Sequence, residues 1–325
     1  MILRRDLHSW PGSIKNLTMR AMATTTDPAS KTTMTYRRGV VLVLLAGVCW
    51  SSFGVGVRLI EVADVWQILF YRSLALAPFL IIVIAVRAGG DAVGAVRRAG
   101  WTGVVGGISL VFAFGGGIYG IQKTTVANAM FLFAAAPFFA AILGKLLLKE
   151  GVRSGTKWAM LAAAAGIAVM VSEGISMGHL AGNVAALVSA LGFASFTVAL
   201  RWRQVEETMP TVFLAGVFAM GTAAVVLQST GTGFIVPLND ILVSLALGIV
   251  QVGAGLIFYS LGAKAVPAVE LTLLSMTEVV LGPIWTWLLM GETAGVYTLI
   301  GGSVLLSAIA ANALTGLRRK PTLIF

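Results

Sequence analysis

The sequence predicts an all-α membrane protein with ten transmembrane helices arranged as two inverted five-helix repeats. Three observations predict it: the chain is too apolar to face water, its apolar runs match a bilayer in length, and its basic residues fall on one side as the runs are counted. Of 325 residues, 58% are hydrophobic and 11% are charged, and mean hydropathy is +0.93. A soluble domain carries about 25% charged residues.

A helix needs about 20 apolar residues to cross about 30 Å of hydrocarbon. Ten runs answer to that description: Val40–Ile60, Trp66–Val86, Trp101–Ile121, Thr124–Leu148, Trp158–Ser172, Leu180–Leu200, Thr211–Leu227, Ile241–Gly262, Ala268–Met290 and Val296–Leu314. The fifth is short and the seventh ends without a clear stop. The runs are too long, and alternate too little, to be barrel strands.

Basic residues test the count, because they concentrate in cytoplasmic loops. With the N-terminus inside, the inner segments hold Arg4, Arg5, Lys15, Arg20, Lys31, Arg37 and Arg38, then Arg87, Arg97 and Arg98, then Lys149, Arg153 and Lys157. Arg201, Arg203, Lys264, Arg318, Arg319 and Lys320 complete that side, nineteen in all, against Lys123 alone outside. Arg58, Arg72 and Lys145 fall within spans. A missed helix would reverse every later loop and destroy the bias. Both termini are therefore expected in the cytoplasm. The net charge of +10 belongs to these loops and does not indicate nucleic acid. Residues 1–38 are polar and expected to be a disordered cytoplasmic tail, with Met19, Met22 and Met34 as alternative starts; 317–325 form a second tail. A single cysteine, Cys49, excludes a disulfide framework, and two distant histidines, His8 and His179, suggest no metal cluster. No cofactor is expected.

The chain repeats itself. A shift of 142 residues lays Glu150 on Glu292, Gly120 on Gly262, Ser109 on Gln251 and Asn128 on Glu270. A shift of 143 lays Arg58 on Arg201, Ser52 on Ser195 and Trp50 on Phe193. The halves are expected at 39–172 and 173–316. Five spans per half is odd, so the second half enters the membrane inverted. That architecture suits alternating access, in which two halves exchange conformations. Pro137 falls opposite Val279 while Pro283 comes a turn later, so the helix breaks in the two halves are expected to be asymmetric.

The residues "GVCWSSFGVG", Arg72 in "FYRSLALAP", "TTVANAMFLFAAAPFFAAILGKLLLKE" and "FYSLGAKAVPAVELTLLSMTEVVLGPIWTWLLMGE" resemble the drug/metabolite transporter superfamily, EamA type. The likeness runs from Gly39 to about Gly316. It implies a bacterial inner-membrane exporter of amino acids, related metabolites or toxic compounds, with a central cavity between the halves.

The ninth run carries two carboxylates inside the membrane. Glu270, Leu274, Thr277, Glu278, Leu281 and Trp285 share one helical face, which should meet water or protein rather than lipid. Glu270 lies near the start of its helix, close to Lys264. Glu278 lies roughly 15 Å in at 1.5 Å per residue, near mid-membrane, where a desolvated acid suits proton coupling. A paired structural acid, with Arg72 as partner, is the alternative. Arg72 is a candidate clamp for a substrate carboxylate, or a structural arginine as its motif in the family suggests. Arg58 and Glu61 are expected to pair within one turn. Further substrate-binding candidates are Trp50, Ser51, Tyr119, Asn128, Asn183, Ser189, Gln251, Tyr259, Glu270 and Trp285. Aromatic walls with few polar anchors suit an amphipathic small molecule, although such residues also serve as interfacial anchors and helix ties.

The expected function is secondary active export of small metabolites, most simply amino acids or related amphipathic compounds, with a proton as coupling ion through Glu278. No GxxxxGK[ST] motif is present, so no built-in ATPase drives it. The alternatives are efflux of lipophilic cations or drugs, an uncoupled facilitator, or a membrane protein that transports nothing. An intramembrane enzyme lacks a convergent nucleophile and base. The partners expected are the substrate, the bilayer and a coupling proton.

Overall fold

Runs of this length leave the backbone one solution in hydrocarbon, where every N–H and C=O must bond within its own segment. The structure, a computed structural model, describes residues 35–203 and 207–317, and the expected tails fall almost wholly outside them. Ten helices are long and apolar enough to span a membrane, and no strand occurs among the described residues. They are α1 (Tyr36–Arg58), α2 (Val65–Arg87), α3 (Ala92–Lys123), α4 (Val126–Phe133 and Ala136–Leu147), α5 (Ser154–Ser176), α6 (Leu180–Trp202) and α7 (Met209–Thr230). α8 runs Leu238–Gly262 with π-helical turns over Leu247–Ala254. α9 has segments Ala268–Ser275 and Thr277–Met290, and α10 is Val296–Leu317. The fifth span is longer than its apolar run suggested, because helix continues into the polar residues at both ends.

Local chemistry sets the boundaries. Asp64 caps α2, accepting from the Trp66 and Gln67 N–H groups while the Gln67 side chain accepts from Asp64 N–H. That reciprocal box satisfies orphan donors of the first turn. Asp91 caps α3 on the Gly94 N–H. That hydrogen bond, then the one from Arg98, holds its carboxyl below the usual range. Gly100 (φ 59°) bends the start of α3 before the span proper, a backbone conformation open to glycine at no steric cost.

An even number of spans places the first and last helix ends together, on what we call the terminal side; the other is the far side. Helix pairs come in exchanged sets. α3 packs on α6 as α8 packs on α1; α4 packs on α6 as α9 packs on α1; α3 packs on α7 as α8 packs on α2; α2 with α7 and α5 with α10 pair across the axis. Adding five to each label maps the set onto itself, as an inverted repeat requires. Glycines carry the closest contacts in equivalent places. A Cβ on Gly120 would stand 3.3 Å from the Gly182 carbonyl, and one on Gly262 2.7 Å from the Gly39 carbonyl. Tight backbone approach of this kind is how helices associate where no hydrophobic force separates protein from lipid.

The α3–α6 seam gives a direct test. A Cβ on Gly192 would lie 2.7 Å from Ser109 O and 2.8 Å from Ala113 N, and backbone cannot yield as a side chain can. Gly192→Val should cost about 1–3 kcal/mol by overpacking, read as a fall in Tm in detergent. Gly221→Ala meets nothing within 4 Å and should leave Tm unchanged or raise it.

The helix breaks correct the expectation of asymmetry. α4 breaks at Ala134–Ala135 and α9 at Met276, the same place under the 142-residue shift. Each break tightens into i to i+3 bonds: Phe138 N–H to Ala135 O at 3.0 Å, and Val279 N–H to Met276 O at 3.1 Å. Pro137 opens the second segment of α4, where its missing N–H is no loss. Pro283 lies inside a continuous segment instead.

Candidate functional site

The break at Met276 places Glu278 in the first turn of the second α9 segment, where the helix dipole favours a negative charge. Its side chain is half-buried. α1 approaches here because of Gly47, whose added Cβ would meet Thr277 Cβ at 3.3 Å. One turn along α1, Ser51 Oγ accepts from Trp285 Nε1 at 3.0 Å and donates to the Val48 carbonyl. The Trp50 ring packs on Tyr259 of α8 at 5.3 Å between centroids. Trp50, Ser51, Tyr259, Glu278 and Trp285 are thus gathered where α1, α8 and α9 meet.

A second cluster surrounds Arg72, which is only 3% exposed. Its Nη2 donates to Gln251 Oε1 at 2.9 Å. Phe114 and Phe53 cover the guanidinium, at 4.6 and 5.3 Å from their centroids. Nε and Nη1 are buried without a partner. Gln251 sits in the π-helical turns of α8, where Gly248 brings the backbone against the Arg72 carbonyl. The alternative in which Arg72 pairs with Glu278 is not seen: among the described residues they form no ion pair.

The remaining candidates are dispersed. Asn128 donates to Asn183 and to Thr124 Oγ1 on the far side, where Lys123 lies 5.9 Å from the Tyr119 ring. Ser189 donates to the Ala113 carbonyl at 2.6 Å and ties α6 to α3. Glu270, on the terminal side, accepts from Tyr36 Oη at 2.5 Å. Arg58 corrects another expectation, since it pairs with Glu292 rather than Glu61. Two cavities flank α4 and α10. One of about 290 Å³ is lined by Pro137, Arg153, Thr272 and Asn312. The other, of about 170 Å³, is lined by Asn128, Glu173, His179 and Thr298. Neither is lined by Glu278 or Arg72.

Sequence reasoning missed Phe53 and Phe114 as covers of Arg72, and the ion pairs Arg58–Glu292 and Arg201–Glu150. Nothing in an apolar run distinguishes those phenylalanines. The ion pairs did leave a trace, since the two shifts that match the arginines and the glutamates differ by one residue.

Ten spans, an inverted repeat, equivalent breaks in α4 and α9 and intramembrane ionisable groups define a membrane transporter. Residues 37–172 and 180–314 match the EamA-like transporter family, and the chain belongs to it. It is 26% identical over 287 residues to the pseudopaline exporter CntI of Pseudomonas aeruginosa strain UCBPP-PA14, covering 86% of this chain and 97% of that one. It is 28% identical over 143 residues to an uncharacterized transporter of Helicobacter pylori strain 26695, covering 42% of this chain and 45% of that one. A solved crystal structure aligns over 88% of this chain and all of its own, with a TM-score of 0.62 at 18% identity. It shares the fold.

Proposed function

We infer that the protein exports amino-acid-like zwitterions across a bacterial inner membrane by alternating access, with both termini in the cytoplasm and a proton exchanged through Glu278. The observation that carries this reading is a pair of opposite ionisable groups inside the membrane that do not satisfy each other. Arg72 keeps two guanidinium nitrogens, Nε and Nη1, unpartnered under Phe53 and Phe114, and an unsatisfied buried cation calls for an anion such as a carboxylate. Glu278 lies on another helix, among Trp50, Tyr259 and Trp285, where an amino group or a proton can be held. The two halves, 39–172 and 173–316, are the moving units. The match to an exporter over nearly its whole length supports the direction, and the loop bias supports the orientation. Membership of a transporter family argues against catalysis.

The test is efflux of a mixed amino-acid pool from proteoliposomes, read by mass spectrometry with and without an imposed proton gradient. The expected result is selective loss of a subset of zwitterions that grows with the gradient. Selective loss indifferent to the gradient would retain the exporter and remove the coupling. Loss of lipophilic cations alone would overturn the substrate class.

A further inference from the structure

Among the described residues two ion pairs join the halves, one on each side of the membrane, and the repeat exchanges them. Arg58 ends α1 in the first half and pairs with Glu292 of the second; Arg201 in the last turn of α6 in the second half pairs with Glu150 of the first. They differ in what else they hold. On the far side the pair is forked, Nε to Oε2 at 2.8 Å and Nη2 to Oε1 at 3.3 Å. Arg58 also donates to the Thr124 carbonyl at 2.7 Å, and Glu292 accepts from Val126 N–H at 2.6 Å. The pair therefore clamps the N-terminal end of α4. On the terminal side there is one contact, Nη1 to Oε2 at 3.0 Å, with a 3.3 Å bond from Arg201 to the Ala140 carbonyl. Side-chain exposure is 27% and 20% for Arg58 and Glu292, but 43% and 44% for Arg201 and Glu150.

The helix segments beside the pairs differ in the same sense. Seven of the eight residues in the first segment of α4, Val126 to Leu132, are buried. It packs on the second segment of α9 and on α10. Its equivalent, the first segment of α9, has no residue classed as buried among those described, Glu270–Ser275. It has no comparable packing on the second segment of α4. The far side is closed and the terminal side is loose. The equivalent of Val126 under the shift of 142 is Ala268, the first residue of α9.

We propose that the two pairs are reciprocal gates: Arg58–Glu292 closes the far side by clamping α4, and Arg201–Glu150 closes the terminal side by clamping the start of α9 at Ala268 in the opposite state. This rests on alternating access but on neither the substrate nor the proton. An arginine fork loses geometric specificity when reduced to one contact, and charge-assisted bonds present in one state only bias a two-state equilibrium by their difference. Transport would alternate which pair is clamped.

The test reads conformation, not transport, so it stands apart from failure of the proposed export. In nanodiscs, in a Cys49→Ser background, one reporter is Ala129→Cys, at a fully buried position of α4; the other is Leu271→Cys, at its equivalent in α9. Each is labelled with a maleimide. Glu292→Gln should speed labelling of the Ala129→Cys thiol about tenfold and slow that of Leu271→Cys, since a bond to a charged group is lost from one state alone. Glu150→Gln should shift both the other way. Parallel shifts in the two variants, or none, would overturn the proposal. An unfolded variant exposes both thiols at once; Arg58→Lys, which keeps the charge and loses the fork, then takes the place of Glu292→Gln under the same criteria.

Discussion

Glu278→Gln should lower gradient-driven export at least about tenfold and flatten its dependence on pH. Glutamine matches glutamate in shape and retains hydrogen-bonding capacity, but it cannot release a proton. Glu278 opens the second segment of α9 in the half-buried junction of α1, α8 and α9, with Gly47 admitting the backbone of α1. Losing the charge there removes an interaction with a cationic group or a proton, and bonds to charged groups contribute about 1.5–3 kcal/mol, which sets the tenfold scale. The packing around Thr277 and Trp285 is retained, so Tm should hardly move. Proteoliposome flux across the neutral pH range checks it. An unchanged rate with an unchanged pH profile would end the coupling role.

The fold was legible because run length and loop charge are separately constrained by the bilayer. Val40–Ile60 and Leu180–Leu200 need no tertiary information to be recognised as spans. The breaks were not legible. Pro137 drew attention to a proline rule, yet the break in α9 forms at Met276 beside no proline, and Pro283 is accommodated inside a helix. Equivalence of the halves predicted the place better than residue type did. Among the site residues, periodicity gave the face of α9 and hence the grouping of Glu278 with Trp285. It could not say which end of the bundle is closed. The structure hydrogen-bonds Asn128 to Asn183 on the far side, where Asn128 also lines the smaller cavity, away from Glu278 and Arg72. Glu61 looked like the partner of Arg58 because it is near in sequence. Its N–H is one of three that the Asp240 carboxylate receives, with Val62 and Ala63, while Arg58 reaches across to Glu292 of the other half.

Arg72→Met should weaken binding of carboxylate-bearing substrates by about tenfold to a hundredfold while leaving the protein about as stable as before. The two readings of Arg72 separate on this point. A structural arginine would be fully bonded, and removing one member of a buried charged pair costs about 3–5 kcal/mol because it strands the other. Arg72 makes one side-chain bond, to Gln251, and two of its donors have no partner. Methionine removes a buried charge and two nitrogens without partners, and fills much of the same space between Phe53 and Phe114. The debit is Gln251 Oε1, left without its donor at about 1–3 kcal/mol. These terms oppose each other, so Tm in detergent should change by a few degrees at most. Substrate affinity should fall by about tenfold to a hundredfold, the loss of a charged hydrogen bond. Arg72→Lys should recover only part of it, since a point charge does not reproduce the planar fork. A large drop in Tm with substrate affinity intact would instead make Arg72 a strut between α2 and α8. The site would then have to find its anion-binding group elsewhere, and among the described residues no other buried side-chain cation leaves N–H groups unpartnered.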